Sequence, residues 1–522
     1  MTVVGKNILD NLTTGMYSDS KVIYREYIQN ACDQIDIALK TGLLKEEDAV
    51  VDITIDYNNR YISIRDTATG VKSNLFIENL GDIANSNKQI GENKGFRGIG
   101  RLCGLAYCKT LKFTTSYSGE KLKSIMTCDA QKMRQMLLDS KKYSLDDIWN
   151  TIVSFTTENE VVDEHYFEVE MFDINKENTD LLDKTKVIDY LSFVAPVPYR
   201  NTFSFRRKIY DYAQSINYKI DEYKILINGK QIFKKYTDRL KDSVTNGNNT
   251  KSKIYDDIKD LEFKNIYDSN NNLLAWLWIG ISCFEKQIPK INQMRGLRLR
   301  SSNIQLGNDN ALQHLFKEPR GNYYFIGEVF SVDKGLIPNS QRDYFNENEK
   351  RIEFEDSLRI YFYDDLHKLY YDANFIKNAF KRQEIYFSKY NEFTKKSLES
   401  SFINDEDKNK LQYEVEKAKK DADDATKRLK KFSGIDSSSP ISKVMKNLEN
   451  KYKNAHKDEG ILVQQQLSNE FTNKKDNFIT SKMSTLSRNE RKLVSKILTI
   501  ITDNAPTDIA EKIISKIKED IK

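Results

Sequence analysis

A chain of 522 residues is longer than one hydrophobic core serves, so about three or four domains are expected. A net charge of only +5, with 30% charged residues, neither demands nor excludes a nucleic-acid partner. Five scattered cysteines without a CxxC spacing point to a reducing cytoplasm and argue against a zinc knuckle. Four widely separated histidines argue against a histidine metal site, and the absence of a signal peptide or long apolar run argues against a membrane.

Residues 1–20 read as a short helix, NILDNLTT, and a turn. The next segment, VIYREYIQNACDQID (22–36), has helical periodicity. Glu26, Asn30 and Asp33 fall at i, i+4 and i+7 and share one face. Tyr27, Ile28, Ala31, Ile35 and Ala38 form the apolar side expected to face a core. A carboxylate on that polar face can accept a proton from water, and a carboxamide oxygen suits Mg²⁺. The segment alone is equally compatible with a solvated polar stripe.

A hairpin follows. VDITID (51–56) and YISIR (61–65) alternate around an Asn58-Asn59 turn. Asp66 ends the second strand and leads into Thr67-Ala68-Thr69-Gly70, a turn able to present a carboxylate to a pocket. ENLGDIANSNK (78–88) reads as a short helix entering a polar loop. KGFRGIGR (94–101) precedes an apolar helix, LCGLAYC. Glycines before a helix N-terminus allow backbone N–H groups to close on phosphate, although such a run also serves as an ordinary turn. Strands are expected at 110–117 and 167–172, and a helix at 186–194.

Residues 200–345 mix strands and helices, with YKILING, LLAWLWIGIS, RGLRLR and YYFIGEVF as the clearest strands. The basic segment MRGLRLRSSNI (294–304) reads as a strand with a solvated face, or as a phosphate or nucleic-acid contact. Beyond 350 the chain turns to long charged helices. Leu411, Val415, Ala418, Ala422, Ala425, Leu429 and Phe432 form a small-residue a/d seam, open to an antiparallel hairpin or a dimer. A linker, SGIDSSSP (433–440), precedes two more amphipathic stretches separated by Asn504-Ala505-Pro506.

In this order, MYSDSKVIYREYIQNACDQID, NLGDIANSN and GFRGIG resemble the motifs of the GHKL ATPases, most of all the ninety-kilodalton heat-shock chaperones. The resemblance covers roughly the first 120 residues. It implies ATP and Mg²⁺ as cofactors, Glu26 as general base and Asn30 as the Mg²⁺ ligand. Asp33 would line the pocket, Asp66 would accept from the adenine amino group, and Gly70 would let the base approach. Asn79 would lie near the nucleotide. Gly95, Gly98 and Gly100 would wrap the phosphates, with Phe96, Arg97 and Ile99 between them in the binding loop.

The segment IGEVFSVDKGLIPNSQRDYF (326–345) resembles the middle-domain segment whose arginine reaches the γ-phosphate. That resemblance assigns the catalytic arginine to Arg342. The other reading of Arg342 is a surface pair with Asp343. Three departures stand out: Ala68 at the first glycine of the family's DxGxG turn, a short lid between Ser86 and Gly95, and Tyr166-Phe167 in place of a Gly-Thr pair.

The expected fold is α+β. It comprises a GHKL (Bergerat) α/β sandwich N-domain (1–200), an α/β middle domain (201–348), a helical region with a short coiled coil (349–432) and a C-terminal helical region (433–522). The expected function is a slowly hydrolysing, chaperone-like conformational-switch ATPase, a probable homodimer with a protein client. The alternatives are a nucleic-acid-acting clamp of the MutL or MORC type and an ATP-sensing regulator without useful turnover.

Overall fold

The computed structural model describes residues 6, 9, 19–82, 100–141, 143–246, 249–399, 401–432, 434–455 and 486–521. The short helix expected at 7–14, the lid and most of the glycine motif lie outside them. The described chain divides into two compact units, residues 1–281 with 286–367, and residues 282–285 with 368–522.

The first unit holds two large sheets. Its opening helix, α1 (Val22–Lys40), ends in the left-handed Gly42, where the amides of Gly42 and Leu43 turn back to Leu39 and Ala38. Ile23, Ile28 and Ile35 are fully buried on its apolar side. Burial of each is worth about 1.5–3 kcal/mol. Strands β1 (Val50–Asp56) and β2 (Tyr61–Asp66) pair as expected, Ile53 opposite Ile64. The Asp56 carboxylate accepts from the Asn58 and Asn59 amides, which holds it below the usual carboxylate range.

A short helix, α2 (Phe76–Gly81), follows. The helix expected after the glycine motif is a 3-10 helix, Gly100–Ala106. Then come β3 (Thr110–Ser116), β4 (Leu122–Asp129), α3 (Ala130–Leu138), α4 (Leu145–Ile152), β5 (Val153–Asn159), β6 (Tyr166–Phe172) and α5 (Lys184–Val194). The sheet takes its last two strands from beyond residue 200. After α6 (Arg206–Ser215), β7 (Lys224–Ile227) lies parallel to β1 and β8 (Lys230–Gln231) closes the edge. Its order is β5-β4-β3-β6-β2-β1-β7-β8.

A two-stranded ribbon, β9 (Arg239–Asn246) with β10 (Asn249–Asp257), separates this sheet from the second. The second runs β11-β12-β15-β13-β14, with β11 at Asp260–Tyr267, β12 at Leu273–Ile281, β13 at Gly296–Ser301, β14 at Ile304–Leu306 and β15 at Ile326–Ser331. The unbroken apolar run LLAWLWIGI suits β12, an interior strand between β11 and β15, where Trp276 stacks on Phe330 at 4.4 Å.

Strand β13 has no solvated face. Arg298 is buried and donates to Gln305 and to the Gln293 carbonyl. Arg300 is fully buried and donates through Nε to Glu328 at 2.8 Å. Glu328 also accepts from Lys234 at 2.9 Å and from the hydroxyls of Tyr199 and Tyr236. The solvated face expected for this strand fails at Arg300 because its partner, Glu328 on β15, is remote in sequence, and at Arg298 because the adjacent strand β14 brings Gln305 over it. Helix α7 (Glu349–Ile360) follows, and a π-helical stretch, Tyr361–Leu366, continues it to the end of this unit.

The second unit is helical. In it α8 (His367–Leu398) runs antiparallel to α9 (Asp405–Leu429): Phe375 meets Phe432, Gln383 bonds Thr426 and Lys389 pairs with Glu414. The seam residues Leu411, Ala418, Ala422, Ala425 and Leu429 are buried. Thus the seam closes within one chain, on α8. Helix α10 spans Pro440–Ala455. Helices α11 (Arg488–Asn504) and α12 (Thr507–Asp520) bring Val494, Leu498, Ile514 and Ile517 together with Ile403.

Candidate functional site

Helix α1 sinks its polar face as well as its apolar one. Glu26 and Asp33 are buried, and Asn30 is half-buried between them. The solvated-stripe alternative therefore fails. Two carboxylates and an amide sit where water has limited access, a placement that needs partners. Gln29 is 1% exposed, and neither polar atom of its amide meets a hydrogen-bond partner among the described residues.

Glu26 lies among arginines. Arg25 Nη2 is 3.2 Å from Glu26 Oε1, and Arg342 Nε is 3.7 Å from the same oxygen. Arg25 also donates to the Gln341 carbonyl at 3.2 Å, so both sides of the contact are tied. Arg342 is itself buried. Its partner is the α1 carboxylate, not a surface pair with Asp343. Asp343 instead accepts from Asn339 Nδ2 and returns its amide to Asn339 Oδ1.

The loop around Arg342 is held by backbone bonds. Arg342 N–H donates to Asn339 O, and Arg342 O accepts from Gly307 N–H at 2.9 Å. These bonds keep Arg342 at φ 55°, the left-handed region that costs a non-glycine residue of order 1 kcal/mol or more. Strain of that kind persists where surrounding structure over-determines it.

At the end of β2, Asp66 is buried and its Oδ1 accepts from Ala68 N–H at 3.0 Å. Ala68 has a negative φ and a fully buried methyl, so the turn tolerates alanine at this position. Gly70 has φ 66°, and a Cβ there would run into the Ser116 carbonyl. Its lack of a side chain serves the approach of two backbones.

Register places Phe167 directly opposite Asp66, with Thr115 opposite Phe167 and Ser124 opposite Thr115. This row lies on one face of the sheet. Where a Gly-Thr pair was expected, an aromatic ring therefore flanks the Asp66 carboxylate. Thr115 is already committed, donating to Tyr166 O and accepting from Val71 N–H.

Asn79 is half-buried on α2; among the described residues it makes no hydrogen bond to the α1 stripe. Of the glycine motif only Gly100 is described; Gly95, Phe96, Arg97, Gly98 and Ile99 are not. Gly100 lies against the general-base candidate: a Cβ there would sit 2.6 Å from Glu26 Oε2.

The structure thus gathers Glu26, Gly100 and Arg342, keeps Asn30 and Asp33 on the same helix, and sets Asp66 at the end of β2. Sequence reasoning passed over Arg25, Gln29 and the Tyr27 hydroxyl. Arg25 adjoins Glu26 in the chain, a signal that was there to read. Tyr27 was read only as core.

The polar face of α1 and the Asp66 turn both lie in a stretch that is similar to GHKL-type ATPase domains. Residues 17–154 match the family model described as histidine kinase-, DNA gyrase B-, and HSP90-like ATPase. Among curated relatives, "Chaperone protein HtpG" of Coxiella burnetii is 39% identical over 87 residues, 16% of this chain and 14% of the relative. HtpG of Natranaerobius thermophilus is 33% identical over the same length and shares. "Heat shock protein 75 kDa, mitochondrial" of Bos taurus is 34% identical over 88 residues, 16% of this chain and 12% of the relative. The matched stretch spans about one seventh of the length of these curated relatives.

The residues fit a magnesium nucleotide. One half-buried amide oxygen at Asn30, rather than a closed cage, is what a Mg²⁺ sharing phosphate oxygens and waters requires. Glu26 is one helical turn away on the same face of α1.

Proposed function

We propose that the chain binds ATP with Mg²⁺ and hydrolyses it slowly, as a chaperone-like conformational switch. The observation that carries this reading is the approach of Arg342, from the segment after β15, to Glu26 on α1. A base on one sheet domain and a guanidinium from the next are what a two-domain phosphoryl-transfer site needs.

Bound ATP·Mg²⁺ supplies an electrophilic terminal phosphoryl group. Asn30 holds the ion, Asp66 accepts from the base's amino group, and Asp33 lines the pocket. Glu26 orients and deprotonates water. Arg342 stabilises charge that develops on the phosphoryl oxygens. Before any of this, Glu26 must leave its guanidinium partners, so hydrolysis is slow and gated. That pairing also favours the second reading, an ATP-sensing regulator in which the gate seldom opens.

Calorimetry and phosphate release on the full chain test the reading together. Binding with slow turnover supports it, binding with no turnover selects the regulator, and no binding removes both. We further propose that the protein acts as a homodimer on a protein client. The a/d seam is consumed by α8, so pairing would use the ATPase domain. Light scattering that reports a monomer with and without a non-hydrolysable ATP analogue would rule the dimer out. Turnover stimulated by duplex DNA rather than by a protein client would favour the clamp reading.

A further inference from the structure

Tyr27 follows the general-base candidate in the chain, and its ring is buried in the domain core. Its hydroxyl is not spare. It donates to the Arg101 carbonyl at 3.0 Å and accepts from the Gly104 amide at 3.0 Å. Both partners belong to the 3-10 helix Gly100–Ala106 that leaves the glycine motif. Burial raises the hydroxyl's pKa well above the ordinary value, so it remains a donor throughout the working range.

The other half of the pair is Gly104. Its φ is ordinary, so backbone conformation does not call for glycine. Space does: a Cβ at 104 would lie 2.5 Å from the Tyr27 hydroxyl oxygen, 2.9 Å from Leu111 Cδ1 and 3.3 Å from Met171 Sδ. Helix α1 therefore grips the 3-10 helix twice, through Glu26 against Gly100 and through Tyr27 across Arg101 and Gly104.

We propose that Tyr27 is a positioning residue. Its hydroxyl locks Gly100–Ala106 to the helix carrying Glu26 and Asn30, so that Gly100 is held against the base. The glycine at 104 exists to admit that hydroxyl. This inference rests on the nucleotide-site reading above. The hydroxyl touches neither substrate nor reacting atoms; it acts by bridging one backbone acceptor and one backbone donor of that helix, Arg101 O and Gly104 N–H.

The test uses full-length Tyr27→Phe, Gly104→Ala and the double variant. Each is measured for thermal midpoint, ATP affinity, turnover and hydrogen exchange of the 100–108 peptide. Tyr27→Phe should stay folded, lower kcat about tenfold or more, change ATP affinity less than about threefold, and speed exchange of that peptide. Gly104→Ala should be impaired alone. Added to Tyr27→Phe it should cost much less, because the hydroxyl that it strikes is gone; Leu111 keeps the rescue partial.

Wild-type kcat and unchanged exchange in Tyr27→Phe would overturn the proposal. So would independent, additive effects of the two substitutions, or an activity loss that only follows the folded fraction. If the wild-type chain neither binds nor hydrolyses ATP, the nucleotide-site reading is what fails. Exchange in the 100–108 peptide then still decides whether the hydroxyl holds this segment.

Discussion

Arg342 and Glu26 stand 3.7 Å apart, Nε to Oε1, although they come from opposite ends of one compact unit. Both are buried, and Arg25 completes the cluster from the Glu26 side. The arginine of the second sheet domain is thus parked on the carboxylate of the first.

Removing the guanidinium should slow hydrolysis while sparing nucleotide affinity. A contact made chiefly as charge develops helps the transition state more than the ground state. Arg342→Ala should lower kcat severely, by roughly 10³-fold on the scale of catalytic arginines. Arg342→Lys should recover part of it, since lysine offers a point charge without the fork. Arg342→Gly separates chemistry from strain: it relieves the left-handed backbone at φ 55° yet should be as inactive as alanine. Steady-state phosphate release on the three variants checks this, and wild-type turnover in the alanine variant would return Arg342 to a structural ion pair.

Glu26→Gln should bind ATP and hydrolyse it about 10²–10⁴-fold more slowly, the range for loss of a general base. The amide keeps the shape that packs on Gly100 but leaves the buried Arg25 and Arg342 without their carboxylate, so the variant should also be less stable, and turnover is compared at equal folded fraction. Equal turnover in variant and wild type would make Glu26 a structural partner of Arg25.

The buried charge cluster of the second sheet predicts a large stability effect away from the site. Glu328 faces Arg300 and Lys234, all three fully buried. Glu328→Gln leaves two cations without their counter-ion and should cost about 3–5 kcal/mol. Urea unfolding measures it; a change below about 1 kcal/mol would mean that the cluster is redundant.

The same cluster sets two pH windows. Arg300 and Lys234 overcome burial and hold Glu328 down at about 2, against an ordinary 4.5. Its stabilisation is therefore complete above 4.5 and lost as pH falls toward 2. Burial lowers Lys234 from 10.5 to about 8, so between those values the unfolded chain binds more protons and stability rises with pH. Thermal midpoints across pH should show both slopes. Lys234→Met should abolish the alkaline one; its persistence would assign it to another group.

The sequence made the α1 stripe legible because helical periodicity is local: Glu26, Asn30, Asp33 and the apolar face are written within three turns. Asp66 was legible because strand alternation ends at it. What escaped depends on partners far along the chain. Arg300 looks like part of a solvated face until Glu328, on another strand, covers it. Strand β7 follows α6 but returns to pair with β1, which no local pattern announces. The apolar run after Gly100 forms a 3-10 helix that Tyr27 reaches from α1, at Arg101 and Gly104, a contact no local pattern announces. The a/d seam was visible, but its closure on α8 was not.

The central claim is a nucleotide site built from α1 and the Asp66 turn. Its most direct test is a calorimetric titration of full-length wild-type and Asp66→Asn protein with a non-hydrolysable ATP analogue in Mg²⁺. A hydrogen bond to a charged acceptor is worth about 1.5–3 kcal/mol, so affinity should fall about ten- to a hundredfold. Asparagine keeps an oxygen for the Ala68 amide, so the turn should hold. One-site binding by the wild type with that loss in the variant is the predicted result. Equal affinity in a folded Asp66→Asn protein, or no binding by the wild type, would contradict the account.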